Sequence, residues 1–412
     1  MSDVERTLAQ TLMREADLDG LVLFQPESFR YAVGAPAGVA TMWGRAGAAI
    51  ALVPADVSSN LGAVASDHAA PAIRAAAPGL DLRTHRIWID MSDLSGVTSI
   101  EGINAAYRRT GPVGPRPETF DRALAFNLLG DLLADRDLQQ ARLGVDLEFM
   151  PAVDFEALKS ALPQVTWVDG SEVLRRMRAI KSPREITRLR NAARAAEAGL
   201  VEMAQAIRPQ VSALDLSASW KHGATTFAAA NGFSLSGHWD FISVGPDLSD
   251  PAARVTPGAL IKADVGTLVE GYSSDGARTF THGSPSDLAQ QIFGALDNAF
   301  ARGLEALKPG NEMKTVHQAM MASMRADGFA EYNRGHFGHS VGGAIGMEEW
   351  PFFSAGSTEL IQPNMVVALE APFYGQGSGA LMIEDQFLIT ETGWERMTTL
   401  PLTMCDMALE RC

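Results

Sequence analysis

Leu260-Ile261-Lys262-Ala263-Asp264-Val265-Gly266 and Gly271-Tyr272-Ser273-Ser274-Asp275-Gly276-Ala277-Arg278-Thr279-Phe280 decide the reading of this chain. Both read as strands, and each carries a carboxylate within an otherwise apolar or small-residue run. Only Glu270-Gly271 and their neighbours separate them, which predicts a tight turn. Antiparallel strands joined in this way can bring Asp264 and Asp275 side by side. Two like charges so placed repel unless a cation sits between them.

Three later segments extend the pattern. Gly335-His336-Phe337-Gly338-His339-Ser340-Val341-Gly342-Gly343 surrounds histidine with glycines, which let backbone approach closely. Met365-Val366-Val367-Ala368-Leu369-Glu370-Ala371-Pro372 is apolar except for Glu370, and Leu381-Met382-Ile383-Glu384-Asp385-Gln386-Phe387-Leu388-Ile389 holds carboxylates in mid-strand. A charge in such a strand is paired or bound to metal. Asp264, Asp275, His339, Glu370 and Glu384 thus form an oxygen-rich set suited to Mn, Fe, Co or Zn. It suits two divalent ions better than one, because ions roughly 3.5–4 Å apart activate water and stabilise an oxyanion together.

The rest of the chain narrows the class. Among 412 residues, 34 Lys+Arg stand against 49 Asp+Glu, for a net charge of −15. So acidic a protein repels phosphate, which argues against nucleic acid and anionic membranes as partners. At 46% hydrophobic and 20% charged, the chain can bury a sizeable core. Its two cysteines, Cys405 and Cys412, exclude a disulfide scaffold and cysteine-based zinc motifs. No apolar run reaches the ~18 residues of a membrane span, and Met1-Ser2-Asp3-Val4-Glu5-Arg6 has no signal character, so a cytoplasmic protein is expected.

Residues 4–16 have helical spacing, 20–24 and 48–53 read as buried strands, 121–135 as a helix and 142–146 as a strand, an alternation typical of an α/β layer. Beyond Val165, Ser182-Pro183-Arg184-Glu185 predicts a capped helix start, with Ile186, Leu189, Ala193, Leu200 and Met203 on the buried stripe.

In this order and spacing, the five segments resemble the creatinase, prolidase and methionine-aminopeptidase superfamily. The Arg178–Ile186 stretch resembles the opening of its catalytic domain. The resemblance implies an α+β pita-bread domain over 169–412, a pseudo-two-fold antiparallel sheet covered by helices. It implies a creatinase-type α/β domain over 1–168. It implies that the five residues hold the metals, manganese foremost, that Glu370 serves as general base, and that Arg278 sits beside them. It implies a metallohydrolase of a C–N bond in a small amino-acid derivative or dipeptide, Xaa-Pro peptidase-like, and a homodimer.

Two histidines of the peptidases have no counterpart. The position seventeen before Asp264 is Asp247, and the stretch after His339 reads Gly346-Met347-Glu348-Glu349. His238, His336, Asp247, Asp250 and Glu349 are the candidate replacements. The same absence leaves open a metal-dependent lyase, like dimethylsulfoniopropionate lyase, or a small-solute hydrolase like ectoine hydrolase or creatinase.

Overall fold

The computed structural model describes residues 2–109, 114–343 and 347–407. The chain forms two compact units, Met1–Met177 and Arg178–Cys412.

The first unit contains α1 (Arg6–Glu15), β1 (Gly20–Leu23), α2 (Pro26–Val33), β2 (Ile50–Pro54), β3 (Gly62–Ser66), α3 (Ala70–Ala76) and β4 (Asp81–His85). It continues with α4 (Ile100–Arg109), α5 (Arg122–Ala134), β5 (Arg142–Val145), α6 (Ala152–Ala161) and β6 (Thr166–Asp169), and α7 (Ser171–Ala179) runs across the boundary. Its sheet runs β4-β3-β2-β1-β5-β6, mixed parallel and antiparallel. Both faces of β1 are buried: Leu21 and Leu23 join one apolar cluster, Val22 another. Such two-sided burial accounts for strands that read as continuous apolar runs.

The second unit opens with α8 (Pro183–Ala206) and α9 (Ala213–Ala230), then β7 (Gly237–Val244), β8 (Leu260–Val269), β9 (Tyr272–Ser273) and β10 (Gly276–Thr281). A second helix pair, α10 (Asp287–Ala306) and α11 (Met313–Ala326), precedes β11 (His336–Ser340), β12 (Glu349–Ser354), β13 (Val366–Gly375) and β14 (Gly379–Ile389). Short β15 (Trp394–Arg396) and β16 (Cys405–Asp406) finish it. The helix-pair-then-strands order therefore occurs twice, and the strands merge into one sheet, β12-β11-β13-β14-β10-β8-β7. This is the pita-bread arrangement.

Local chemistry fixes these elements. Ser182 and Glu185 form the capping box that starts α8, with Pro183 in its first turn. Ser212 and Asp215 do the same for α9. Along α8, Leu189, Ala193, Leu200 and Met203 are buried, whereas Ile186, in the first turn, is half-buried. The strand expected over 271–280 is broken at Ser274-Asp275. There the amide of Asp275 donates to Oε1 of Gln386 at 3.3 Å, and Ser274 ties itself to Thr267 through both backbone and hydroxyl.

Strand alternation then divides the sheet. Ile261, Ala263 and Val265 of β8 pack into one cluster with Leu200, Met203 and Trp220. Val367, Leu369, Leu381 and Ile383 pack with Phe300, Val316 and Met320. Because side chains alternate, Asp264, Glu370 and Glu384 point to the opposite face from these helix-covered neighbours.

Candidate metal centre

The register of four adjacent strands sets the site. Asp264 on β8 lies opposite Ala277 on β10, Ala277 opposite Glu384 on β14, and Glu384 opposite Glu370 on β13. Three carboxylates therefore stand in one row, with a methyl group in the second position. Asp275 is two residues before Ala277 and thus on the same face. His339 on β11 pairs with Ala368, two residues before Glu370, which puts the imidazole on that face too. All five residues foreseen as ligands are brought together and buried.

Nε2 of His339 lies 3.5 Å from Oδ2 of Asp275. Its Nδ1 lies 2.9 Å from the carbonyl of Ser340. A donated proton there leaves Nε2 with its lone pair toward the carboxylates, the tautomer a metal ligand needs. Ligand atoms of Asp275, His339 and Glu384 all lie within 4.8 Å of one another. Close approach of β11 to β13 makes this possible. Gly338 has φ +121°, and a Cβ there would meet the Ala368 oxygen at 2.0 Å.

Burial pushes the Asp275 and Glu384 carboxyls well above the usual range, reinforced by neighbouring carboxylates. Burial also raises Asp264, with Lys262 pulling the other way. Burial lowers His339. For Glu370, burial acts upward, but His336, Arg334 and His339 outweigh it and hold the group low. Oδ1 of Asp275, Oε1 of Glu370 and Oε2 of Glu384 are buried without a hydrogen-bond partner. Orphaned buried anions are costly, and Asp275 and Glu384 gathered beside the imidazole, with Glu370 paired across from Glu384, fit a divalent cation.

A ring of further groups surrounds the five. Nη2 of Arg334 donates to Oε2 of Glu370 at 2.9 Å. Nδ1 of His336 lies 3.1 Å from Oε1 of the same glutamate but off the line of a hydrogen bond, since the Gly338 amide points at that nitrogen. Nζ of Lys262 donates to Oδ2 of Asp264 at 3.1 Å. Lys262 and Arg334 both lie over the ring of Tyr374, at 5.5 and 5.8 Å. A cavity of about 670 Å³ opens beside them, lined by Lys221, Phe241, Lys262, Asp264, Glu348 and Tyr374 among others.

The remaining sequence candidates divide. His336 is at the site, between Glu370 and Glu348 (Nε2 to Oε2, 3.5 Å). His238 is not. It pairs with Thr267, whose hydroxyl donates to Ala192 of α8, so its ring lies on the helix-covered face, 6.1 Å from Trp220. One step of strand alternation turns it away. Asp247 is also displaced from the expected role: its carboxylate is exposed and accepts from the amide and hydroxyl of Ser249, which hold it below the usual aspartate range. Asp250 lines the cavity and caps its own turn through Ala252. Glu349 pairs with Arg178 at 2.7 Å and Lys181 at 3.9 Å. Arg278 braces the back of the sheet, donating to Asp385 and to the carbonyl of Glu384. Gly346 and Cys412 lie outside the described residues.

Lys262, Arg334 and Tyr374 were not among the candidates. Lys262 had the same signal as Asp264, a charge in an apolar strand, two residues away on the same face. Nothing local marks Arg334 or Tyr374.

The model of metallopeptidase family M24 matches residues 187–391, and that of the creatinase/prolidase N-terminal domain matches 105–180. The chain is 30% identical over 262 residues to a Xaa-Pro dipeptidase of Pyrococcus horikoshii, covering 62% of this chain and 72% of that protein. In fold it is similar to a Xaa-Pro dipeptidase from Bacillus anthracis, with TM-score 0.75, 21% identity and coverage of 97% and 98%. A dipeptidase PepE from Mycobacterium ulcerans gives TM-score 0.75, 22% identity and coverage of 98% and 96%.

Proposed function

Since the chain belongs to metallopeptidase family M24, we propose that it is a metal-dependent, Xaa-Pro peptidase-like hydrolase of the C–N bond in a dipeptide or small amino-acid derivative. The observation that carries this reading is the trio of buried, partnerless carboxylate oxygens on Asp275, Glu370 and Glu384, two of these residues grouped closely with His339. Asp264, Asp275, His339, Glu370 and Glu384 are the residues that would hold divalent metal. Manganese suits the set, because carboxylates outnumber the single imidazole. Bound there, a divalent ion supplies Lewis acidity to the substrate carbonyl and acidifies water.

The chain's own groups do the rest. Glu370, held ionised by Arg334 and His336, accepts the proton of the attacking water. His336, with Nε2 3.5 Å from Glu348 and its ring beside Glu370, stands where the leaving nitrogen can be bound, a task that peptidases of this kind give to other histidines. The cavity beside Asp264 is of a size for a dipeptide.

The N-terminal residues 1–168 are read as the creatinase-type domain, supported by the match over 105–180, and residues 169–412 as the catalytic domain. A homodimer is the proposed assembly; exposed Met42 and Trp43 supply apolar surface for it. No described helix is long and apolar enough to cross a membrane, and the proposed location is the cytoplasm.

A lyase is the second reading, favoured by Asp247 and Met347 standing in the region where peptidase histidines are expected. Chelator-treated protein, with and without restored manganese, is to be assayed on Xaa-Pro dipeptides in oxygen-labelled water. Metal-dependent release of proline, with label in the new carboxylate, supports the hydrolase. Elimination products free of label reject it.

A further inference from the structure

The ligand set is not evenly short of cations. Asp275, Glu370 and Glu384 each keep a buried oxygen without a hydrogen bond. Glu370 accepts from Arg334 through its other oxygen, whereas Asp264, with no such orphaned oxygen, accepts at Oδ2 from the ammonium of Lys262 at 3.1 Å. The lysine side chain is 6% exposed and the aspartate 13%, so water screens the pair little. Both sit on β8, two residues apart, where alternation directs them to one face. Tyr374 confines the ammonium, its ring 5.5 Å from Nζ. The compact ligand group of Asp275, His339 and Glu384 does not include Asp264.

We infer that Lys262 is a built-in competitor cation that makes the two metal seats unequal. The ion among Asp275, His339 and Glu384 enters where negative charge is uncompensated. An ion at Asp264 must first displace the ammonium and then sit beside it. Each ion of charge two repels a lysine at this range, and the aspartate oxygen cannot serve both. Occupancy of the second seat is therefore set by Lys262, through metal concentration, while the first seat stays filled. A substrate anion that draws the ammonium off Asp264 toward the cavity opens that seat, since Lys262 lines the cavity wall.

The inference rests on the metal reading above, and the test separates the two. Chelator-treated protein is titrated with manganese by calorimetry, and bound metal is counted by elemental analysis after desalting. Wild-type protein is expected to keep one ion per chain tightly and to bind a second roughly 100-fold more weakly, the upper range of measured coupling between sites. Lys262→Met, which keeps the stem and deletes the charge, is expected to hold two ions of similar affinity. Equal, tight binding of two ions by the wild-type protein overturns the proposal, whether or not the variant folds. So does a folded Lys262→Met protein with an unchanged second site. If neither protein binds metal, the metal reading itself falls and takes the inference with it.

Discussion

Glu370 and Glu384 face each other directly across antiparallel β13 and β14, with Asp264 at the far end of the same cross-strand row. Opposed Cβ atoms in such pairs are about 5 Å apart. Like charges at 4 Å repel by roughly 4 kcal/mol at an effective dielectric near 20. A fold that keeps such a row is organised around a cation.

The two glutamates have different partners, so their loss should read differently. Glu370→Gln removes the ionised proton acceptor held by Arg334 and His336, and is expected to lower kcat about 10²–10⁴-fold. Glu384→Gln removes a ligand oxygen from the group it forms with Asp275 and His339, and is expected to lower metal affinity first. Steady-state kinetics at saturating manganese, beside metal counts, separates the two. A Glu370→Gln enzyme with unchanged kcat contradicts its role.

The raised carboxyls carry a definite pH sign. Asp275 and Glu384 hold protons in the metal-free fold that the unfolded chain releases. Their contribution is fully present below the unfolded values of about 4 and is lost as pH rises through the raised folded values. His339, lowered by burial, disfavours the fold as pH falls below about 6.5. Metal binding needs the carboxylates free of protons and the imidazole neutral, so the stabilisation by manganese should grow from about pH 5 to pH 8. Thermal unfolding of chelated and manganese-restored protein checks this. A manganese-induced shift in Tm that shrinks with pH contradicts it.

Behind Glu384, on the opposite face, Asp385 gathers a network. It accepts from Arg278 at 2.8 Å, Arg396 at 2.6 Å and the hydroxyl of Thr398. Arg278 is 3% exposed, so Asp385→Ala strands a buried guanidinium. The expected loss is about 3–5 kcal/mol in denaturant unfolding. A loss below about 1 kcal/mol, the range of an exposed ion pair, contradicts this placement.

Gly338 has no room for a side chain at φ +121°, against the Ala368 oxygen. Gly338→Ala should part β11 from β13, displace His339 and lower metal affinity even where the protein still folds. Gly310, with φ +90° and open space around it, is the control: Gly310→Ala carries backbone strain but leaves metal binding intact. Equal effects on metal binding contradict the argument.

Ser182→Ala removes the cap of α8, and is expected to cost about 1 kcal/mol, lowering Tm without altering metal content. A change in metal content would tie the cap to the site.

Asp264, Glu370 and Glu384 were legible because charge in an apolar strand has few explanations, and His339 because glycines flank it; the register places them on one face. The capping box of α8 was legible for a similar reason, being local and chemical. His238 was not. Which face it takes depends on its pairing with Thr267, and no local pattern gives that register. Asp247 carries two signals at once, its spacing from Asp264 and the turn chemistry of Asp-x-Ser, and its carboxylate accepts from Ser249 in that turn. Lys262 carries the same mark as Asp264, a charge within the apolar run 260–266. Arg334 reaches Glu370 across the sheet from outside any strand, so only the tertiary structure reveals it.

The most direct test of the metal centre is elemental analysis of protein purified without chelator, beside Asp275→Ala prepared identically. The cluster predicts transition metal bound to the wild-type chain and lost from the variant while the fold persists by circular dichroism. A folded wild-type protein free of metal, or a variant that keeps the full complement, would contradict it.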